Sequence, residues 1–205
     1  DPLRYYLSAN MPEFGDADFS WREFYRRNND ELVATYGNLV HRILTLTHRN
    51  FDGFVPQPGS TDADDGALIQ KSHETLVSVA HSLEIPRFRE AIGKAMALAG
   101  EANRYVDMKA PWKTVKEDKV RTATTLTTAL YAISALKIAL YPFIPQASER
   151  LHKLLGFTNH VANDGWSISP PPAGQALQEP KALFTKLDEG IIEKETLLLE
   201  SQKTT

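Results

Sequence analysis

Two stretches of this sequence combine residue types that could bind a flat or anionic ligand. In the first, the polar helix end that begins at Asn103 runs into the dipeptide Pro111-Trp112. Composition alone favours the interpretation that Trp112 closes the hydrophobic core, because tryptophan is usually mostly buried. The functional interpretation is that Pro111 holds the indole of Trp112 outward, as a platform for an unstacked nucleic-acid base. Stacking of a base on an aromatic ring is worth roughly 1 to 3 kcal/mol.

The second stretch places His41, Thr45 and Arg49 at intervals of four residues, so they share one face of a predicted helix. Arg42 and His48 flank this stripe. Arg49 could offer its planar donor fork to a base edge or to a phosphate. The alternative is a solvated polar face, the usual arrangement of charged helix positions. The two stretches come together only if the first and third predicted helices are neighbours.

Residue patterns typical of catalysis are missing from the sequence, which has no phosphate-binding glycine loop and no nucleophile elbow. The absence of cysteine excludes disulfides, thiol catalysis and cysteine-based zinc sites. His41 and His48 lie seven residues apart, which favours solvated surface histidines over a metal pair. Asp62, Asp64 and Asp65 lack the glycine and distal glutamate of a calcium loop, so we interpret them as a solvated helix entry. We therefore predict no catalytic residue and no metal site.

Length, composition and charge narrow the class of protein. With 205 residues, of which 42% are hydrophobic, the chain can bury one substantial core. A net charge of -3 argues against a non-specific, phosphate-dominated nucleic-acid binder, so any such site must be local. We expect no membrane span, because polar residues interrupt the apolar stretches, and we expect a cytoplasmic protein. The N-terminus resembles neither a signal peptide nor a natural start, which indicates a segment from inside a longer protein.

Hydrophobic periodicity and proline or glycine breaks predict an all-α antiparallel bundle of about five main helices with a loop-rich C-terminal tail. The predicted helices cover about 20–50, 64–83, 86–109, 118–140 and 145–155. Ser20 should cap the first of them, and residues 110–113 should form a turn at the mouth of the bundle. Beyond residue 157 we expect an irregular segment that wraps the bundle, followed by a last helix over about 183–199.

Four stretches of the chain resemble methionyl-tRNA synthetases, in the same order as in that family. They are Leu3-Arg4-Tyr5-Tyr6-Leu7, Gly37-Asn38-Leu39-Val40-His41-Arg42, Asn103-Arg104-Tyr105-Val106 with Ala110-Pro111-Trp112, and Leu183-Phe184 with Lys186-Leu187-Asp188. The third stretch points most specifically to the methionine enzyme. The resemblance covers nearly the whole chain.

In that family an Asn, an Asn and an Arg at four-residue intervals on the long helix, together with a Pro-Trp pair, read the CAU anticodon. The resemblance implies that Arg49 is this arginine and that Trp112, following Pro111, stacks on the first anticodon base. His41 and Thr45 then occupy the positions of the two asparagines. Further residues that the resemblance or the helix face places beside this site are Asn103, Asp107 and Arg42.

The family's two ATP-handling signatures, His-x-Gly-His and Lys-Met-Ser-Lys-Ser, are missing here. The resemblance therefore implies a tRNA-reading module with no cofactor of its own, while ATP, magnesium and any zinc belong to an absent catalytic region. Residues 1–19 would be the junction to that region, 20–157 the anticodon-binding bundle, and 158–205 a segment that packs back on the bundle.

The implied partners are elongator and initiator methionine tRNA and the protein's own catalytic domain, with no membrane. Two alternatives stay open. One is the anticodon-binding domain of the leucine, valine, isoleucine or cysteine enzyme. The other is a helical protein-interaction module whose aromatic residues anchor an interface.

Overall fold

The computed structural model describes residues 1–13 and 18–203, and within these ranges the secondary structure is helical, with one isolated β-bridge between Phe54 and Ala176. The predicted all-α fold is confirmed. The elements are α1 (Pro2–Ala9), α2 (Trp21–Arg26), a π-helical stretch (Arg27–Gly37), α3 (Asn38–Phe51), α4 (Ala63–Glu84), α5 (Phe88–Lys109), α6 (Pro111–Thr114), α7 (Lys119–Leu140), α8 (Pro145–Leu154), a 3₁₀ turn (Val161–Asp164) and α9 (Gly190–Lys203).

The predicted first helix is one continuous helical segment from α2 to α3. Its α-helical winding changes to π-helical winding between these two elements, but the chain stays helical throughout. Ser20 caps it as expected, since its Oγ accepts a hydrogen bond from the backbone N–H of Glu23 at 3.3 Å. Between α2 and α3 the chain widens into a π-helix, where the N–H of Asn38 donates to the carbonyl of Val33, five residues earlier. The sequence periodicity did not predict this change, and it means that a side-chain face of α3 does not continue into residues 27–37 at the usual spacing.

Helices α4, α5 and α7 form the centre of the bundle, and α7 is buried along nearly its whole length. Its length and apolar composition would suffice to cross a membrane, but 89% of that stretch is buried inside the bundle, as in the core helix of a globular domain. The buried hydroxyls of α7 bond to carbonyls one turn back, for example Ser134 to Leu130 at 2.8 Å. These bonds satisfy polar groups that would otherwise be costly to bury.

The C-terminal tail packs on the bundle through apolar anchors, among them Leu177, Leu183 and Phe184. The predicted last helix begins later than expected, at Gly190 rather than near Leu183. The reason lies in the π-helical stretch, where the side-chain amide of buried Asn29 bonds to both the N–H (2.9 Å) and the carbonyl (3.0 Å) of Leu187. These contacts hold the backbone of Leu187 in a non-helical conformation.

A buried polar cluster attaches the start of the tail to the bundle. The ammonium group of Lys137, fully buried on α7, lies 2.8 Å from the Asp164 carboxylate and 2.9 Å from Nδ1 of His152. Burial lowers the pKa of Lys137, and the ion pair with Asp164 opposes that shift. Because an ammonium can only donate, Nδ1 of His152 must accept, which assigns the proton to its Nε2, 3.0 Å from Oδ1 of Asn159.

Candidate nucleic-acid interface

The indole of Trp112 lies on a sharp corner between two helices. Helix α5 ends at Lys109, and the next helix, α6, is a single turn that begins with buried Pro111. The predicted turn is therefore a corner followed by a helical turn, in which proline fills the first position because its missing N–H is not needed there. Trp112 comes next and keeps 40% of its surface exposed, so it does not close the core.

The corner depends on an unusual backbone conformation at Ala110. Its φ is +43°, in the left-handed region that non-glycine residues rarely adopt. Such a conformation costs on the order of 1 to 3 kcal/mol and persists only where the surrounding structure enforces it. The following proline contributes, because it disfavours the right-handed helical conformation for the residue before it. The exposed position of the indole is thus built into a constrained segment of backbone.

A guanidinium lies next to this indole, and it belongs to Arg42. Its Cζ is 5.4 Å from the centroid of the Trp112 ring, within the range of a cation–π contact. One of its nitrogens, Nη2, also donates to Oδ1 of Asp107 on α5 at 2.6 Å. The first and third predicted helices are therefore neighbours here, and a single guanidinium joins them. Most of the five N–H donors of the arginine are left for a ligand.

Arg49, which we expected beside the indole, lies elsewhere on the same helix. It follows Arg42 by two turns of α3, which corresponds to about 10 Å along the helix axis. Its side chain is exposed and makes no hydrogen bond or ion pair with the residues that the structure describes. The structure thus corrects the expected placement: Arg42 is the guanidinium beside Trp112, and Arg49 is not part of that contact.

Asn38 belongs to the motif of residues 37–42 but was not one of the predicted site residues. It is exposed at the start of α3, four residues before Arg42, so the two side chains lie on the same side of the helix. This pair reproduces the Asn-to-Arg spacing that the family resemblance implies, in a register seven residues earlier than the one centred on Arg49. The position four residues before Asn38 is Ala34, which carries no polar group and lies in the π-helical stretch. The proximity of Asn38 and Arg42 within one motif was the signal available in the sequence.

His41 and Thr45 differ in their accessibility. His41 is exposed and lines an open cleft of about 230 Å³, together with Asn38 and Phe184 of the tail. Thr45 is half-buried, and its hydroxyl makes no hydrogen bond within the described part of the chain. His41 is therefore available to a ligand beside Asn38, whereas Thr45 offers less of its surface.

Asn103 supports the site without being part of its exposed surface. Its amide nitrogen donates to the carbonyl of Ala99 in its own helix and to the carbonyl of Thr35 in the π-helical stretch, both at 3.1 Å. The second bond joins α5 to the long helix one turn before Asn38. Asn103 therefore joins α5, which leads into the Trp112 corner, to the long helix that carries Arg42.

An ion-pair network at the start of α4 fixes the end of α5. Nζ of Lys109, the last residue of α5, lies 2.8 Å from Oδ2 of Asp62 and 2.6 Å from Oδ2 of Asp64. The hydrogen bond from Lys109, with help from the backbone N–H of Asp65 and from the nearby Arg121, lowers the pKa of Asp62 to about 2. The corner that carries Trp112 is thereby attached to a second helix.

Asp65 is the centre of this network, and its burial corrects our expectation of a fully solvated helix entry. Its side chain is fully buried, with both oxygens 2.5 Å from Nη2 of Arg121 on α7 and one oxygen 2.6 Å from the hydroxyl of Tyr105 on α5. Burial raises the pKa of Asp65, but the bonds from Arg121 and Tyr105 outweigh it and hold the pKa below its usual value. One carboxylate thus joins three helices.

The site itself consists of an indole, a guanidinium, an amide and an imidazole. In the residues that the structure describes, no group of three or more His, Cys, Asp or Glu side chains is arranged to hold a metal ion. The arrangement can stack a planar ring on Trp112 and offer hydrogen bonds to the edge of that ring from Arg42. The four side chains therefore suit a planar ligand whose edge carries hydrogen-bonding groups.

Comparison with known proteins gives a consistent family. A family model described as the anticodon binding domain of methionyl tRNA ligase matches residues 55–196, and one described as tRNA synthetases class I (M) matches residues 1–44. The chain is 53% identical over 196 residues to the methionine–tRNA ligase of Dehalococcoides mccartyi, covering 96% of this chain and 35% of that protein. For the methionine–tRNA ligase of Chloroflexus aurantiacus, the identity is 42% over 228 residues, covering 98% and 38%.

A solved structure gives the same result. The apo form of methionyl-tRNA synthetase from Mycobacterium tuberculosis superposes with a TM-score of 0.83 at 26% identity, covering 91% of this chain and 39% of that chain. The chain spans only a little over a third of the length of the proteins that it matches.

Proposed function

The chain belongs to the methionyl-tRNA ligase family and contains its anticodon-binding domain, and on that premise we propose that it binds the CAU anticodon of methionine tRNA. The binding surface in this proposal is formed by Trp112, Arg42 and Asn38. The first anticodon base, a cytosine, stacks on the exposed indole of Trp112. Arg42 and Asn38 then offer hydrogen bonds to base edges.

The observation that carries this proposal is the exposed indole on a constrained corner with a guanidinium 5.4 Å from its ring centroid. A preformed platform of this kind loses little conformational entropy when a base stacks on it, because neither Trp112 nor the corner at Ala110 has to reorganise. The net charge of -3 does not argue against binding of an anticodon, since stacking provides affinity without a large basic surface. His41, next to Asn38, would be a further contact at the edge of the site.

The remaining functions of the whole protein are also proposals. We infer that the part of the protein outside this chain attaches methionine to tRNA with ATP, in the cytoplasm, and that both initiator and elongator tRNAs are bound because they share the anticodon. The proposed binding step needs no cofactor in this chain. An anticodon domain for a different amino acid is disfavoured by the family match, and a protein-interaction module would bind no anticodon loop at all.

The test of this proposal is a titration with a synthetic anticodon stem-loop, using the wild-type chain and Trp112→Ala. We expect Trp112→Ala to fold normally and to lose roughly 1 to 3 kcal/mol of binding free energy, the contribution of one stacked base. Trp166→Ala is a matched control, because Trp166 is also 40% exposed but packs on α4, with its indole N–H donating to the carbonyl of Leu76. The affinity of Trp166→Ala for the stem-loop should equal that of the wild type.

Two results would contradict the proposal. One is equal affinity of the wild-type chain for the CAU loop and for a loop with a changed first anticodon base. The other is unfolding of Trp112→Ala with unchanged binding per folded molecule, which would make Trp112 a structural residue.

A further inference from the structure

The exposed face of α3 has the Trp112 corner on one side and the tail on the other, where the tail forms a cleft with Asn38, His41 and Phe184. We propose that this tail cleft binds the second anticodon base, the adenine that follows the cytosine stacked on Trp112. The inference rests on the proposed function and deepens it, because it gives a second base of the anticodon a binding site of its own.

Three residues of α3 define where the tail cleft lies relative to Trp112. At 3.6 residues per turn, Asn38 lies about 40° around the helix axis from Arg42, and His41 lies about 60° further in the same direction. The Trp112 ring is beside Arg42, whereas the tail cleft is beside His41. Asn38 therefore lies between the two sites and borders both.

A second contact shows that the tail follows this side of α3. His48 comes seven residues after His41, so it lies within about 20° of it around the axis. Its Nε2 is 2.8 Å from the backbone carbonyl oxygen of Gln178 in the tail. The tail thus runs along the His41 side of the helix, opposite the side on which Trp112 lies.

The separation of the two sites suits two neighbouring bases that are not stacked on each other. Asn38 precedes Arg42 by four residues, which is about 6 Å along the helix axis. Neighbouring bases in a stacked strand are only about 3.4 Å apart, so a base in the tail cleft has left the stack. Proteins recognise single-stranded loops in this way, by hydrogen bonds to the edges of splayed bases.

The tail cleft matches a nucleobase in its distribution of polar groups. It has a volume of about 230 Å³, with apolar surface from Val33, Leu183 and Phe184. Asn38 and His41 are exposed and add polar side chains on the α3 side. A base has apolar faces and a polar edge, and a mostly apolar cleft with a few polar groups fixes the orientation of such a ligand.

The carboxamide of Asn38 favours adenine. It has one acceptor oxygen and an NH₂ donor, so it can accept from the 6-amino group of adenine while it donates to the ring nitrogen N7. Guanine presents acceptors at both positions, O6 and N7. Asn38 can therefore form both hydrogen bonds with adenine, but only one of them with guanine.

Hydrogen bonds on both sides of Phe184 fix the tail wall of the cleft. Nη2 of Arg150 on α8 donates to the carbonyl of Leu183 at 2.7 Å. Nδ2 of Asn28 in the π-helical stretch donates to the carbonyl of Thr185 at 3.0 Å. The wall is thus held by two helical elements before any ligand arrives, so a base that enters the cleft has little of the protein to order.

The experiment fills the tail cleft and leaves the Trp112 corner unchanged. Ala182 is exposed and lines the cleft, so Ala182→Leu places an aliphatic side chain where the adenine would lie. The titration uses synthetic stem-loops with the anticodons CAU, CGU (changed second base) and UAU (changed first base).

We expect the wild-type chain to prefer CAU over CGU by roughly 5- to 150-fold, the effect of one bidentate base contact. In Ala182→Leu this preference should fall to about 1 because neither base can enter the cleft. The preference for CAU over UAU should stay that of the wild type, because the first base binds at Trp112.

Ala162→Leu is the matched control. Ala162 is exposed in the 3₁₀ turn and does not line the cleft, so its substitution should leave all three affinities unchanged. Asn38→Ala tests the hydrogen bonds directly, and it should lower the preference for CAU over CGU while keeping that for CAU over UAU. The three positions are exposed, so the thermal midpoints measured by circular dichroism should stay close to that of the wild type.

Four results would overturn the inference. They are equal binding of CAU and CGU by the wild type, an unchanged preference in Ala182→Leu, an equal loss of preference in Ala162→Leu, and loss of first-base preference in Asn38→Ala. The proposed function survives each of these results as long as binding depends on Trp112 and on the first base. A failure of the proposed function appears instead in Trp112→Ala and the UAU loop, so the two failures are distinguishable.

Discussion

The guanidinium of Arg42 makes two contacts, one with the ring of Trp112 and one with the carboxylate of Asp107. Its Cζ lies 5.4 Å from the centroid of the Trp112 ring, while Nη2 donates to Asp107. The ion pair is partly exposed, so its contribution to folding stability is at most about 1 kcal/mol. Its geometric effect is larger, because it orients the planar donor fork beside the position of a stacked base.

We predict that Arg42→Gln weakens binding of the CAU stem-loop and reduces its preference over a loop with a changed first base. A lost bidentate contact to a base is worth about 1 to 3 kcal/mol of discrimination. Arg42→Lys should behave similarly, because it keeps the charge but loses the planar fork. Titration of both loops measures this, and the thermal midpoint should change little.

Arg49→Gln provides the comparison, since it removes the same group from the next exposed position along this face of α3. If Arg49→Gln loses discrimination and Arg42→Gln keeps it, the base contact belongs to Arg49 and our assignment of Arg42 is wrong.

At the scale of elements, the corner between α5 and α6 is held by the start of α4. Lys109 binds Asp62 and Asp64, and Asp65 joins Arg121 to Tyr105. These contacts surround the helix end that precedes Trp112. The position of the indole therefore depends on electrostatic contacts among three helices as well as on apolar packing.

We predict that this network makes folding stability fall between about pH 4 and pH 2. The pKa of Asp62 in the folded protein is about 2, below its usual value of 3.8. A lowered carboxyl pKa means that the unfolded state binds more protons, so the stabilisation is present above the usual pKa and is lost as the pH falls through the folded value. The measurement is the thermal unfolding midpoint between pH 5 and pH 2.

Asp62→Asn isolates the effect, because asparagine preserves the helix cap but removes the charge that pairs with Lys109. The difference in midpoint between wild type and variant should be largest at pH 5 and should shrink towards pH 2. Asp30→Asn, at an exposed position without an ion pair in the described residues, should leave the pH profile unchanged. A constant difference across this range would show that Asp62 acts through packing alone.

At the scale of the whole molecule, the tail completes the bundle and borders the candidate site. Phe184 is buried against the long helix, 6.1 Å from Tyr36 between ring centroids, and it also lines the cleft beside Asn38 and His41. The Asn29 side chain holds the backbone three residues further on. We therefore expect the tail to unfold together with the helices.

We predict that Phe184→Ala destabilises the entire fold by about 3 to 5 kcal/mol, the usual cost of removing a buried aromatic ring. Chemical denaturation followed by circular dichroism should show a single transition at lower denaturant concentration. Phe54→Ala is the control, because half of the Phe54 surface is exposed, and it should shift the transition much less. A wild-type midpoint for the bundle helices in Phe184→Ala would mean that the tail is an independent appendage.

The sequence by itself determined the features that depend on local rules. Hydrophobic periodicity together with glycine and proline breaks predicted the long helices, the Ser20 cap and the ends of the helices, and Pro111 predicted a turn before Trp112. These features follow from interactions within a few residues along the chain, so one sequence is enough to predict them.

The tertiary structure decided which distant groups meet. Helical spacing gives the face of α3 but not the axial level at which α5 crosses it, so it could not distinguish Arg42 from Arg49 as the neighbour of Trp112. Burial of Asp65 and the extended course around Leu187 likewise depend on partners more than 50 and 150 residues away in sequence. Packing of the whole bundle sets such contacts. A local sequence pattern cannot set them, because its energy is nearly the same in several alternative registers of one helix against another.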